Sequence, residues 1–348
     1  MVDTLFRLDR DRFDLTYGVR AGVFTVIPLL IGIAEGYVTI GVLVALGALN
    51  LMLVQAPRPG RTPYAVLALA VGTDAIAWGA GTLVGSMSGP LEWTLLGVGV
   101  FGIMLSKRYS LFNQLALITA VMYVVSAGLP GGWDVALPHA VLILVGGAWG
   151  LFGAVLPTWV RWIERPLPAS AHLSPAERVP VGTTVSFAFA VAATVAIGYA
   201  TAQSVGLPRD YWVMLTILAA LRPELAGTFS IATMRGLGTI AGAAIVFGLT
   251  LAVSNVWVLA ILIVVAASIT FAVRAVNYIV YAVFLTIYMI VLLALAYHGG
   301  PAFAVDRVID TIIGCGFAIA AGLALSAWKG RLSERHRPPV GSVPPHAV

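Results

Sequence analysis

The chain has 348 residues, 60% of them hydrophobic and only 10% charged, against about 45–50% and about 25% in soluble globular domains. This balance excludes an ordinary soluble enzyme and predicts an all-α, polytopic membrane protein. The formal net charge of +5 reflects where the basic residues fall along the chain and requires no nucleic-acid partner.

Residues 1–15, MVDTLFRLDRDRFDL, mix acids with bases and show no small-residue cleavage site, so they read as a cytoplasmic lead-in. Apolar runs then recur near 16–34, 37–54, 64–88, 91–106, 110–128 and 136–160. After a polar break they recur near 180–204, 211–229, 231–252, 256–273, 276–297 and 305–328. Each is close to the roughly 20 residues that span a hydrocarbon core about 30 Å thick, which gives about twelve transmembrane helices. The basic residues test that number independently, because Lys and Arg in short loops favour the cytoplasmic side. With both termini inside, seventeen of the 20 Lys and Arg are cytoplasmic, Arg209 and Arg307 are outside, and Arg235 lies within a span.

The break, residues 161–179, holds three Pro and five charged residues. It separates an N-terminal membrane half, 16–160, from a C-terminal half, 180–328, and a basic, Pro-rich tail follows at 329–348. The halves are similar. YVTIGVLVALGALNL from Tyr37 matches YWVMLTILAALRPEL from Tyr211, and AVGTDAIAWGAG from Ala70 matches GLGTIAGAAIVF from Gly236. Six spans per half predict two six-helix repeats of the same orientation, related by an axis along the membrane normal. They differ in charge: Arg235 aligns with Leu69, Arg307 with His139, Asp310 with Leu142, and Arg222-Pro223-Glu224 with Ala48-Leu49-Asn50.

Ionisable groups at membrane depth are costly and usually functional, so the C-terminal half carries the candidate site. Arg222 falls eleven residues into the span from Tyr211, about 16 Å along a helix. Pro223 lacks a backbone donor and disfavours helix at Arg222, so a break is expected here, with Glu224 beside it. Such a break at mid-depth can present a guanidinium to a carboxylate substrate; the alternative is a cytoplasmic turn after a short span. Arg235 precedes Gly236, Gly238, Thr239 and Gly242. It would be a second anion contact or a clamp on Glu224 or Asp310, or it snorkels to the inner interface if its span begins at Ile231. Asp310 has Arg307 one turn before it and Gly314 one turn after, all on one helix face. It is a candidate proton-coupling carboxylate, with a local Arg307–Asp310 pair as the alternative.

Asp74, in the third span, is a second coupling carboxylate, the partner of a basic group across the halves, or a buried hydrogen-bonding group. Trp93, Trp133, Trp159, Trp162, Trp212, Trp257 and Trp328 fall near span ends and read as interface anchors. Cys315, the single cysteine, leaves no intrachain disulfide. No motif of phosphate binding, metal ligation or nucleophilic catalysis is present, so neither an enzyme nor a cofactor is expected.

YWVMLT at Tyr211, Pro223 and Thr228, R-x-x-G-T at Arg235 to Thr239, and R-x-x-D-T-x-x-G at Arg307 to Gly314 carry a family likeness. In these residues the chain resembles the fusaric acid resistance protein-like group of the aromatic acid exporter family, and more distantly the plant aluminium-activated malate transporters. Many members carry a large cytoplasmic domain, where this sequence has only the short linker between its halves. The resemblance implies proton-driven efflux of aromatic or other organic anions across the bacterial inner membrane. On that reading the partners are a small organic anion and the lipid bilayer, with a homo-oligomer left open. Substrate-pathway residues would be Arg222, Pro223, Glu224, Arg235 and Thr239, and coupling residues Asp310, Asp74 and Arg307. An anion channel and a non-transporting membrane scaffold are the competing readings.

Overall fold

The computed structural model describes residues 9–54, 64–162, 178–253, 255–297 and 301–335. Among them are twelve α-helices: α1 (Leu15–Ala34), α2 (Val38–Val54), α3 (Tyr64–Gly85), α4 (Pro90–Leu105), α5 (Asn113–Ala127), α6 (Trp133–Trp162), α7 (Val181–Val205), α8 (Tyr211–Ala220), α9 (Leu225–Ala252), α10 (Val256–Val273), α11 (Tyr278–Tyr297) and α12 (Ala302–Arg335). Nine of the described helices are long and apolar enough to cross a membrane, and α2 and α8 are shorter apolar helices. The chain is an all-α, polytopic membrane protein.

Capping residues mark several of the helix starts. The Asp14 carboxylate accepts the Tyr17 amide at 2.8 Å, and the Asn255 side chain accepts the amides of Trp257 and Val258 at 2.9 and 3.3 Å. These side chains satisfy N–H groups that have no partner within the helix. Gly206, with φ +75°, ends α7 in the left-handed conformation that glycine adopts without strain.

Packing follows one scheme in both halves. In the first, α2 lies on α6, and α3 on α5 and α6; in the second, α8 lies on α12, and α9 on α11 and α12. Two further pairings join the halves, α1 with α10 and α4 with α7. Small residues set the spacing, because lipid supplies no hydrophobic drive between helices and close backbone approach is what remains. A Cβ on Gly146 of α6 would lie 2.0 Å from the Val44 carbonyl oxygen of α2, and one on Gly314 of α12 would lie 2.8 Å from the Val213 carbonyl oxygen of α8. Gly22 of α1 meets Ser268 of α10 in the same way.

One pair of expected spans is redrawn. The run 211–229 is not one helix: α8 stops at Ala220, residues 221–224 are non-helical, and α9 begins at Leu225 rather than Ile231. Leu221 and Glu224 are extended, with ψ of 128° and 136°, flanking the proline that cannot donate a helical hydrogen bond. The Thr228 hydroxyl replaces the lost helix bonds, accepting the Arg222 amide at 2.9 Å. Arg58, Arg61, Arg165, the greater part of the 161–179 linker and the tail beyond 335 lie outside the described residues.

Candidate functional site

A cavity of about 260 Å³ lies where the two halves meet. From the first half, α2 contributes Leu46, Leu49, Asn50 and Leu53, α3 contributes Trp78, and α5 contributes Gln114 to Val125 on its inner face. From the second come Leu215 and Ala219 of α8, Arg222 of the break, Arg235 and Thr239 of α9, Arg274, Tyr278 to Met289 on one face of α11, and Arg307 of α12. Four guanidinium groups therefore line one space, and among the described residues no carboxylate lines it.

The four are held differently. Arg235 is 4% exposed and begins eleven residues into α9, about 15 Å along an axis about 42 Å long. The snorkelling alternative rested on a helix starting at Ile231, whereas the helix begins at Leu225 and the side chain is buried among its neighbours. Its Nη1 donates to the Tyr278 hydroxyl at 3.3 Å, while its Nε has no protein partner. Arg307, 5% exposed, has neither Nε nor Nη1 bonded within the protein. Its guanidinium carbon lies 5.1 Å from the Trp212 ring centroid, a cation–π distance that offsets part of the desolvation. Arg222 is half-buried and donates to the Leu221 carbonyl at 3.0 Å. It stands close enough to Lys107 that burial and the Arg222 charge together push that ammonium down to about 8. Arg274 reaches the Met52 carbonyl at 3.4 Å, the same oxygen that accepts the Tyr17 hydroxyl at 2.9 Å.

A guanidinium at mid-membrane costs about 2.5–3.5 kcal/mol on insertion scales. Four like charges around one cavity repel one another, so the arrangement favours anything negatively charged that can enter. Tyr278, Tyr281, Thr239, Thr286, Asn50 and Gln114 add hydroxyl and amide donors to the same wall.

The other candidates are placed elsewhere. Glu224 is exposed and Pro223 half-buried, and neither lines the cavity; the Pro223 carbonyl accepts Lys329 Nζ at 3.0 Å. Asp310 is 1% exposed with its Oδ2 unpartnered, and Asp74 is 4% exposed and accepts the Thr119 hydroxyl at 2.7 Å. Neither lines the cavity. The local Arg307–Asp310 pair and the clamps of Arg235 on Glu224 or Asp310 are absent from the ion pairs of the described residues, which are Arg12–Asp9 and Arg209–Asp306. Trp212 itself is buried under Arg307, so it is no interface anchor, whereas Trp133, Trp257 and Trp328 are exposed.

Sequence reasoning missed Arg274, Tyr278 and Tyr281. Arg274 reads as an ordinary turn cation, and only the i, i+3 spacing of the two tyrosines after it hints at a shared inward face. It also missed Glu92, which is 3% exposed and accepts from the Tyr199 hydroxyl and Gln203 Nε2 across the α4–α7 contact. Among the described residues no cluster of three His, Cys, Asp or Glu could hold a metal ion.

Residues 182–321 match the fusaric acid resistance protein-like family. The fusaric acid resistance protein-like region runs from the start of α7 into α12 and contains all four cavity arginines. Inner membrane protein YccS of Escherichia coli (strain K12) is 34% identical over 124 residues, which is 36% of this chain and 17% of that protein. The similarity thus spans less than a fifth of that relative's length. No solved structure gives a significant match.

Proposed function

We propose that this chain is an inner-membrane secondary transporter that exports a small organic anion, aromatic acids included, through the arginine-lined cavity. The observation that carries this reading is the set of four guanidinium groups, Arg222, Arg235, Arg274 and Arg307, around one space whose described lining residues include no carboxylate. Planar guanidinium forks match carboxylates in bidentate geometry. The family likeness of residues 182–321 and the inner-membrane name of the YccS relative support the location.

The proposed architecture is two six-helix repeats of the same orientation, 16–160 and 180–328, with both termini cytoplasmic. Its support is the shared packing scheme, α2 on α6 and α8 on α12, α3 on α5 and α9 on α11. Coupling is assigned to proton exchange at Asp310, buried with an unpartnered oxygen beside the Arg307 turn.

One observation favours a passive anion channel instead: neither Asp74 nor Asp310 lines the cavity, so among the described residues its wall offers no acid to protonate. Uptake of labelled aromatic acids into inverted vesicles separates the two. The exporter accumulates substrate when an inward-acid proton gradient is imposed and stops accumulating when it is collapsed. Flux that follows voltage alone and ignores pH identifies the channel.

A further inference from the structure

A second, smaller cavity of about 90 Å³ lies on the same axis, lined by Thr39, Val42, Tyr211, Trp212 and Leu292 among others. Its wall and that of the arginine-lined cavity divide along the helices without overlap, save at four positions. On α2 the residues 39–43 face the small cavity and 49–53 the large one, with Leu46 in both; on α8 the residues 211 and 212 face the small and 219 the large, with Leu215 in both. On α5 the shared residue is Val125, and on α11 it is Met289. Both cavities are thus stacked along the membrane-crossing direction, and one side chain from each of four helices separates them. All four are half-buried, as residues facing internal space are.

We infer that Leu46, Val125, Leu215 and Met289 form the barrier of the pathway, an apolar ring that closes the arginine-lined cavity from the opposite face of the membrane. Two side chains come from each half, from the corresponding second and fifth helices, so a small rotation of one half against the other separates Leu46 and Val125 from Leu215 and Met289 together. An apolar constriction of this kind excludes water and ions without any specific bond, and it opens when widened or made polar. A charged substrate would cross it only when the halves part, whereas the neighbouring arginines hold the anion on one side until then. The inference rests on the transport reading for its purpose, but its test requires no substrate.

The test is one-sided thiol labelling with the membrane-impermeant anion methanethiosulfonate ethylsulfonate, in a Cys315→Ser background. Ala219→Cys reports on the large cavity and Thr39→Cys on the small one. With the ring intact, each cysteine should react at least tenfold faster from one side than from the other, and the favoured sides should be opposite. In the Leu46→Ala/Leu215→Ala double variant, the Ala219→Cys rates from the two sides should converge. Leu215→Asn, which keeps side-chain bulk but wets the ring, should move them in the same direction and serves where the double variant fails to reach the membrane. Equal rates from both sides with the ring intact, the same favoured side for both reporters, or a tenfold bias unchanged by the ring substitutions would overturn the inference. Failure of anion export with a correct labelling pattern would count against the proposed function and leave the barrier standing.

Discussion

Arg235 and Arg307 are each buried with guanidinium donors that no group among the described residues satisfies, and an unsatisfied buried charged donor is the kind of group that a bound anion repays. Arg235→Ala and Arg307→Ala should each lower organic-anion flux at least tenfold in vesicles while the protein still reaches the membrane. Arg235→Lys should recover only part of it, because an ammonium cannot replace the planar fork. Flux unchanged in both alanine variants would remove the cavity from the pathway. A different residue tests the periphery. Burial pushes the Asp210 carboxyl from 3.8 up to about 6, the Glu92 charge adding to this and the Tyr211 backbone bond opposing it. The folded state therefore binds more protons than the unfolded chain between these values, so this contribution to stability is present at low pH and lost as pH rises through about 6. Melting in detergent between about pH 4.5 and 6.5 should show that decline, and Asp210→Asn should lack it; identical slopes would contradict the assignment. Among single residues, sequence pattern pointed to Arg222, Arg235, Thr239 and Arg307, all of which line the cavity, because charge inside an apolar run is conspicuous. Glu224, expected in the substrate pathway, does not line the cavity, and pattern alone could not say so, since apolar all-round helices give no periodicity that says which face points inward.

The element that decides the site's shape is the break between α8 and α9. Pro223 made the break expected, but its length and the restart at Leu225 depend on Thr228, whose hydroxyl replaces the helix partner of the Arg222 amide. Thr228→Val leaves that amide unsatisfied and should cost about 1–3 kcal/mol, measurable as a lower melting temperature in detergent and, because Arg222 is displaced, as weaker anion flux. Equal stability to the parent would show that another group satisfies the amide. Helix contacts are similarly local. A side chain larger than glycine at Gly146 or Gly314 collides with a backbone carbonyl of the paired helix, so Gly146→Val and Gly314→Val should both fail to accumulate in the membrane. The twelve apolar runs were legible because length and hydropathy are set by bilayer thickness. The helix pairings were not, because which small residue meets which partner is written in no periodic pattern.

At the scale of the molecule, the two halves pack by the same scheme and meet around one cavity, yet all four cavity arginines come from the second half. The first half supplies apolar wall, Asn50 and Gln114. This division follows the charge asymmetry visible in the aligned halves, where Leu69 stands opposite Arg235 and His139 opposite Arg307. One half thus frames the space and the other makes it attractive to anions. The measurement that tests this most directly is saturable uptake of a labelled aromatic carboxylate into inverted vesicles carrying the intact chain, set beside vesicles carrying the Arg235→Ala/Arg307→Ala protein at equal abundance. The account predicts uptake well above that of vesicles without the protein for the intact chain, and uptake at that background for the double variant. Equal uptake by the two proteins would contradict it.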